Sequence, residues 1–253
     1  MSEVRRHSGT RTDRQPVVKA DSIKKTYTSW IPFSRSVEVL DGATLDVAPG
    51  EIVGIMGENG SGKSTLMQIL AGVLDSDGGE VVLNGTIGWC PQDPRLYDRL
   101  TVDETFDLFG RAYDMSDEEI DEARAWLLEE LDFERFRDRQ VRNLSGGNQQ
   151  KLNLSVALMH EPDLLLLDEP YTGFDWETFQ AFWDLTEELR DRDVGIAIIS
   201  HIISERERFD IIYELHDGHL HREVVDDDDN PEATPTEDDV DCDSQLNNRG
   251  SSG

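Results

Sequence analysis

Long apolar runs are missing from this chain. The longest, Leu164–Leu167 and 194–200, fall far short of the ~20 apolar residues that a membrane-crossing helix needs, and the mean hydropathy is −0.54. The chain does not read as membrane-spanning. The stretch Met1 to Pro16 carries Arg5, Arg6, Arg11 and Arg14 with no apolar segment behind them, so it lacks the hydrophobic core of a secretory signal. Residues 1–16 read as a disordered N-terminal tail. Cysteine is scarce: Cys90 and Cys242 have no metal-ligand spacing, which excludes a zinc finger or a disulfide framework and fits a reduced, cytoplasmic protein.

Positive charge is also in short supply. Asp and Glu number 54 against 24 Lys and Arg, a net charge of −30, and only five of the bases are lysine. The segment Glu223–Gly253 contributes −10 and the preceding 222 residues still carry −20. A dense acidic surface on the folded part resembles proteins adapted to high internal salt, where screening removes the self-repulsion; it implies a halophilic, haloarchaeal-like source. No nucleic acid is expected as a partner, since none could be held by a basic surface. Residues 223–253 mix like charges with Pro, Thr, Ser and Asn, cannot bury enough apolar surface to offset ordering entropy, and read as an acidic disordered tail.

Between them, residues 17–222 alternate short β-like apolar runs with helix-like stretches, the pattern of an α/β protein with a parallel sheet. Gly57-Glu58-Asn59-Gly60-Ser61-Gly62-Lys63-Ser64 is a full GxxxxGK[ST] motif. It follows the strand-like segment Glu51–Met56 and precedes Thr65 and then Leu66, Ile69, Leu70 and Val73 at helical spacing, the context a phosphate-binding loop requires. Its glycines let backbone N–H groups curl around phosphates at a helix N-terminus. Lys63 would reach the β- and γ-phosphates, and Ser64 is a candidate Mg²⁺ ligand. The run 163–167 then ends in Asp168 and Glu169. Four leucines alone would read as a core strand, but side chains alternate along a strand, so the two carboxylates can serve different partners. Asp168 would support a metal ion and Glu169 would orient an attacking water.

A third motif, Leu144-Ser145-Gly146-Gly147-Asn148-Gln149-Gln150-Lys151, stands before a helical run through Leu152, Val156 and Met159. It closely resembles the signature of ATP-binding cassette (ABC) ATPases, and with the two motifs above the resemblance spans about residues 17–222. That resemblance implies a P-loop NTPase, RecA-like parallel core, an antiparallel β subdomain and an inserted helical subdomain. It also implies ATP and Mg²⁺, and roles for weaker positions. Tyr27 matches the aromatic that stacks on adenine. Gln92 matches the loop glutamine that contacts Mg²⁺, Asp175 the aspartate of the D-loop, which faces a partner subunit, and His201 the switch histidine at the γ-phosphate. Ser145, Gly146 and Gly147 would meet the partner's nucleotide.

Residues 93–143 would form the helical subdomain. Ser116 and Glu119 make a capping box ahead of Ile120, Ala123, Leu127 and Leu131. Leu96, Tyr97, Leu100, Phe106 and Phe109 read equally as a membrane-partner dock or as core. Asn148 and Thr172-Gly173-Phe174-Asp175 depart from the common family pattern without removing a catalytic group, and the Glu-Arg-Gly element of fused exporters is missing before the signature. The resemblance points to an ABC-2-like exporter cassette. It would dimerise head to tail with itself or a related cassette and act on a separate transmembrane permease at the inner face of the membrane. The alternative is a soluble ABC ATPase serving an intracellular assembly such as iron–sulfur cluster biogenesis.

Overall fold

The computed structural model describes residues 15–28, 36–200 and 203–224. The first half of the chain holds β1 (Val18–Tyr27), β2 (Val37–Val47), β3 (Ile52–Met56), α1 (Lys63–Leu70), β4 (Gly78–Leu83), β5 (Ile87–Cys90), α2 (Val102–Ala112) and α3 (Asp117–Glu130). Then follow α4 (Gly146–Leu158), β6 (Leu164–Asp168), α5 (Trp176–Asp191), β7 (Gly195–Ile199), β8 (Ile211–His216) and β9 (His219–Val224). The strands form an antiparallel sheet ordered β2-β1-β4 and a second sheet ordered β5-β6-β7-β3-β8-β9. In the second sheet neighbours from β5 to β8 are parallel, and β9 pairs antiparallel with β8.

The period-two geometry of a strand explains the leucine run of β6. Leu165 and Leu167 join the core that holds Leu154 of α4 and Phe182 and Trp183 of α5. Leu164 and Leu166 join the core that holds Leu66 and Met67 of α1 with Val18 and Leu45 of the antiparallel sheet. Both faces of the parallel sheet are thus covered, as such sheets require.

The segment 93–143 contains α2 and α3, each opened by a capping box: Thr101 with Glu104, and Ser116 with Glu119. Ile120, Leu127, Leu131 and Phe106 are buried, and Ala123, Leu96 and Phe109 pack against them. Tyr97 is 60% exposed, so Phe106, Leu96 and Phe109 belong to the core and Tyr97 does not.

Three features differ from the sequence reading. Val73 does not extend the apolar face of α1: Gly72 takes φ +68 just beyond the helix, and Val73 is 58% exposed. The folded part does not stop at Arg222, because β9 continues to Val224 and Glu223 pairs with Arg206. The antiparallel edge formed by β9 is also new, turned by Asp217 and Gly218 with φ +46 and +80, the signature of a two-residue hairpin.

Candidate active site

The carboxyl ends of β3, β5 and β6 converge, the edge at which open α/β sheets bind ligands. Past β3 the chain turns through Gly57–Gly62 into α1. Two of these glycines are obligatory. At Gly57 (φ +140) a Cβ would lie 2.5 Å from the Leu215 carbonyl oxygen, and at Gly62 (φ +110) 2.5 Å from Val39 Cγ1. Gly62 is also the N-cap of α1 and brings no side chain to its first-turn N–H groups, which suits them to an anion.

Lys63 is 7% exposed, and its Nζ donates to the carbonyls of Gly57 and Glu58 at 2.8 Å each. Burial holds its pKa below the usual lysine value, while Glu169 and Asp168 pull it back up. Asp168, 5% exposed at the end of β6, has its pKa raised by burial, opposed by a hydrogen bond from Ser64. Glu169 follows with φ +48, out of the strand conformation. Its Oε2 accepts a hydrogen bond from Gln92 Nε2 at 3.0 Å, and its N–H donates to the Ile199 carbonyl.

A cavity of about 650 Å³ gathers these groups: Asn59, Gly60, Gly62, Lys63, Ser64 and Thr65 with Gln92 and Glu169, closed by Val39 and Ile199. Gly57, Glu58 and Ser61 shape the loop without entering that wall, and Ser61 Oγ is buried with no hydrogen-bond partner among the described residues. Asp168 sits behind Ser64. Tyr27 ends β1 with its ring 45% exposed and its hydroxyl 3.4 Å from Thr65 Oγ1. His201 lies outside the described residues. The residue before it, Ser200, is fully buried and accepts a hydrogen bond from the Tyr171 hydroxyl.

The signature residues occupy a different place. Ser145 caps α4, accepting from Asn148 N, and Asp175 caps α5, accepting from Thr178 N at 2.9 Å. Ser145, Gly147 and Asp175 line a second cavity, of about 470 Å³, which shares no residue with the first; Gly146 is exposed beside it.

Asn153 is a positioning group that the sequence reading misses. Buried in α4, it donates to Cys90 Sγ at 3.1 Å and to the Pro91 carbonyl at 2.8 Å, which fixes the segment that delivers Gln92. The only trace in the sequence is a polar side chain in a helix that proves buried on every face.

Among the described residues no cluster of three His, Cys, Asp or Glu could hold a metal ion. Ser64 and Gln92 bring a hydroxyl and an amide oxygen to the first cavity, with the Asp168 carboxylate behind Ser64, a set that fits a hard cation such as Mg²⁺ completed by phosphate and water.

Comparison with known proteins agrees with this geometry. The ABC transporter family profile matches residues 40–172. An uncharacterized ABC transporter ATP-binding protein of Methanocaldococcus jannaschii is 32% identical over 194 residues, which span 77% of this chain and 71% of that protein. The Nod factor export ATP-binding protein I of Paraburkholderia xenovorans is 33% identical over 206 residues, spanning 77% and 66% of the two chains. Among solved structures, a dimeric ATP-binding cassette in a post-hydrolysis state with ADP and Pi bound superposes with a TM-score of 0.75 at 28% identity, over 82% of this chain and 98% of that one. With its phosphate loop, its paired carboxylates and its capped signature helix on this fold, the chain belongs to the ABC transporter family, as an ATP-binding subunit that hydrolyses ATP to power transport.

Proposed function

We propose that this chain drives export through a separate membrane-spanning polypeptide, working at the cytoplasmic face as a head-to-tail dimer with a second copy or a related cassette. The observation that carries the reading is the first cavity, where the phosphate loop, Gln92 and Glu169 meet. Export is supported by the likeness to a Nod factor export ATP-binding protein, and the dimer by a dimeric structural neighbour. No described helix is long and apolar enough to cross a membrane, and a separate spanning polypeptide is part of the proposal. The relatives are transporter proteins, which does not favour a soluble assembly ATPase.

In this reading the ammonium of Lys63 leaves the Gly57 and Glu58 carbonyls for the β- and γ-phosphates, while the N–H groups of α1 hold the phosphate oxygens. Tyr27 stacks on adenine. Ser64, Gln92 and Asp168 would hold Mg²⁺, which would neutralise charge on the phosphate oxygens. Glu169 orients the attacking water and takes its proton, and the Gln92 amide holds that carboxylate at the mouth of the site. His201 contacts the γ-phosphate. Ser145, Gly146, Gly147 and Asp175 face the partner's nucleotide, so the γ-phosphate bridges two chains and its loss releases them. No nucleic acid takes part, and the acidic surface suits molar KCl. Co-expression with a membrane protein encoded next to it should give a co-purifying complex with raised ATPase activity. Purification with soluble assembly proteins instead would overturn this reading.

A further inference from the structure

The turn that follows β6 has to aim Glu169 at the first cavity. Glu169 takes φ +48, a conformation that a residue with a side chain keeps only where its surroundings over-determine it. Two bonds to the end of β7 supply that constraint. The Glu169 N–H donates to the Ile199 carbonyl at 3.2 Å, and two residues further on the Tyr171 hydroxyl donates to Ser200 Oγ. Both partners in the second bond are shut away from water, Tyr171 at 6% exposed and Ser200 at 0%, so solvent cannot replace either of them. The Tyr171 ring is gripped by α5, edge-on to Phe179 and Phe182 with centroids at 5.4 and 5.7 Å. The Ser200 N–H in turn donates to the Ile55 carbonyl of β3 at 3.3 Å. The turn is therefore tied both to a helix and to central strands of the parallel sheet. Glu169 and Ile199 line the first cavity, whereas Tyr171 and Ser200 do not, so the hydroxyl is not part of the wall that meets the nucleotide.

We infer that Tyr171 is a positioning residue for the hydrolysis step: its hydroxyl pins the turn after β6 to β7 and so keeps the Glu169 carboxylate in the place where it meets water. The inference rests on the role proposed above for Glu169.

The test uses the full chain in high KCl with Tyr171→Phe, Ser200→Ala and the Tyr171→Phe/Ser200→Ala double variant, and with Tyr171→Phe placed in a Glu169→Gln background. Phenylalanine keeps the ring between Phe179 and Phe182 and removes only the hydroxyl. Ser200→Ala removes the same bond from the other side and leaves the aromatic cluster untouched. Each single variant should lower kcat about three- to tenfold while the KM for ATP stays within about twofold of wild type, the split expected when nucleotide binding is intact. The double variant should be no slower than the slower single one, because both remove one bond. In the Glu169→Gln background Tyr171→Phe should change the residual single-turnover rate by less than about 1.5-fold, since its effect passes through the carboxylate; a residue that merely stabilises the fold would lower both backgrounds alike. Wild-type kcat in either single variant, or the same loss with and without the Glu169 carboxylate, would overturn the inference. A wild-type chain that fails to hydrolyse ATP would instead overturn the function proposed above.

Discussion

Lys63→Ala separates the binding role of the phosphate loop from its structural one. The Lys63 ammonium donates to two loop carbonyls at 2.8 Å, and in the ATP complex those bonds are exchanged for phosphate oxygens. A hydrogen bond to a charged group contributes ~1.5–3 kcal/mol, so its removal should weaken ATP binding roughly 10- to 150-fold. Stability should change much less. The two loop bonds are charge-assisted and worth ~1.5–3 kcal/mol each, but the buried ammonium carries a desolvation cost that offsets most of this, seen in its lowered pKa, and the alanine variant is freed of it. At ~2–4 °C per kcal/mol for a domain of this size, the melting temperature should fall by only a few degrees. A titration with a fluorescent ATP analogue and a thermal melt, both in high KCl, measure the two effects. An affinity within threefold of wild type, or a chain that no longer folds, would refute the reasoning.

The remaining predictions concern packing and salt. At Gly88 in β5 a Cβ would lie 2.1 Å from the Ala157 carbonyl oxygen and 2.9 Å from Pro162 Cγ, so Gly88→Ala should cost ~1–3 kcal/mol by overpacking. It should also disturb the segment leading to Gln92; an unchanged melting temperature would show that β5 and α4 are not packed this tightly. With a net charge of −20 on residues 1–222, the melting temperature should climb as KCl is raised from ~0.1 M to ~1 M and the Debye length falls from ~10 to ~3 Å. A melt indifferent to KCl over that range would remove the halophilic reading.

The parts of this site that were legible in the sequence are those whose chemistry demands particular residue types at fixed spacing. Gly57 and Gly62 have to be glycine because Leu215 and Val39 press on them, so the loop is written into the sequence. The pair Asp168-Glu169 was legible because a strand end sets its position. The helical subdomain was half legible: the Ser116 capping box stood out, whereas the equivalent one at Thr101 and Glu104 went unread although the helix it opens is the more amphipathic of the two. The run through Leu152, Val156 and Met159 marked α4 as a helix but not which of its faces is buried. From Gln150 onward the helix is buried all round, with Lys151, Asn153 and Ser155 inside as well, and which polar side chain meets which partner depends on tertiary packing. The β8–β9 hairpin had a local signal in Asp217-Gly218, which stands inside the folded part and was not used.

The central claim is that Glu169 performs the chemistry while other groups bind ATP and join two chains. Glu169→Gln keeps the shape of the side chain and an acceptor for the Gln92 amide but cannot take a proton from water. Size-exclusion chromatography of this variant with ATP and Mg²⁺ in high KCl, with phosphate release followed on the same sample, tests the claim most directly. The variant should elute as a stable dimer holding unhydrolysed ATP. A monomeric elution profile, or phosphate released at the wild-type rate, would contradict it.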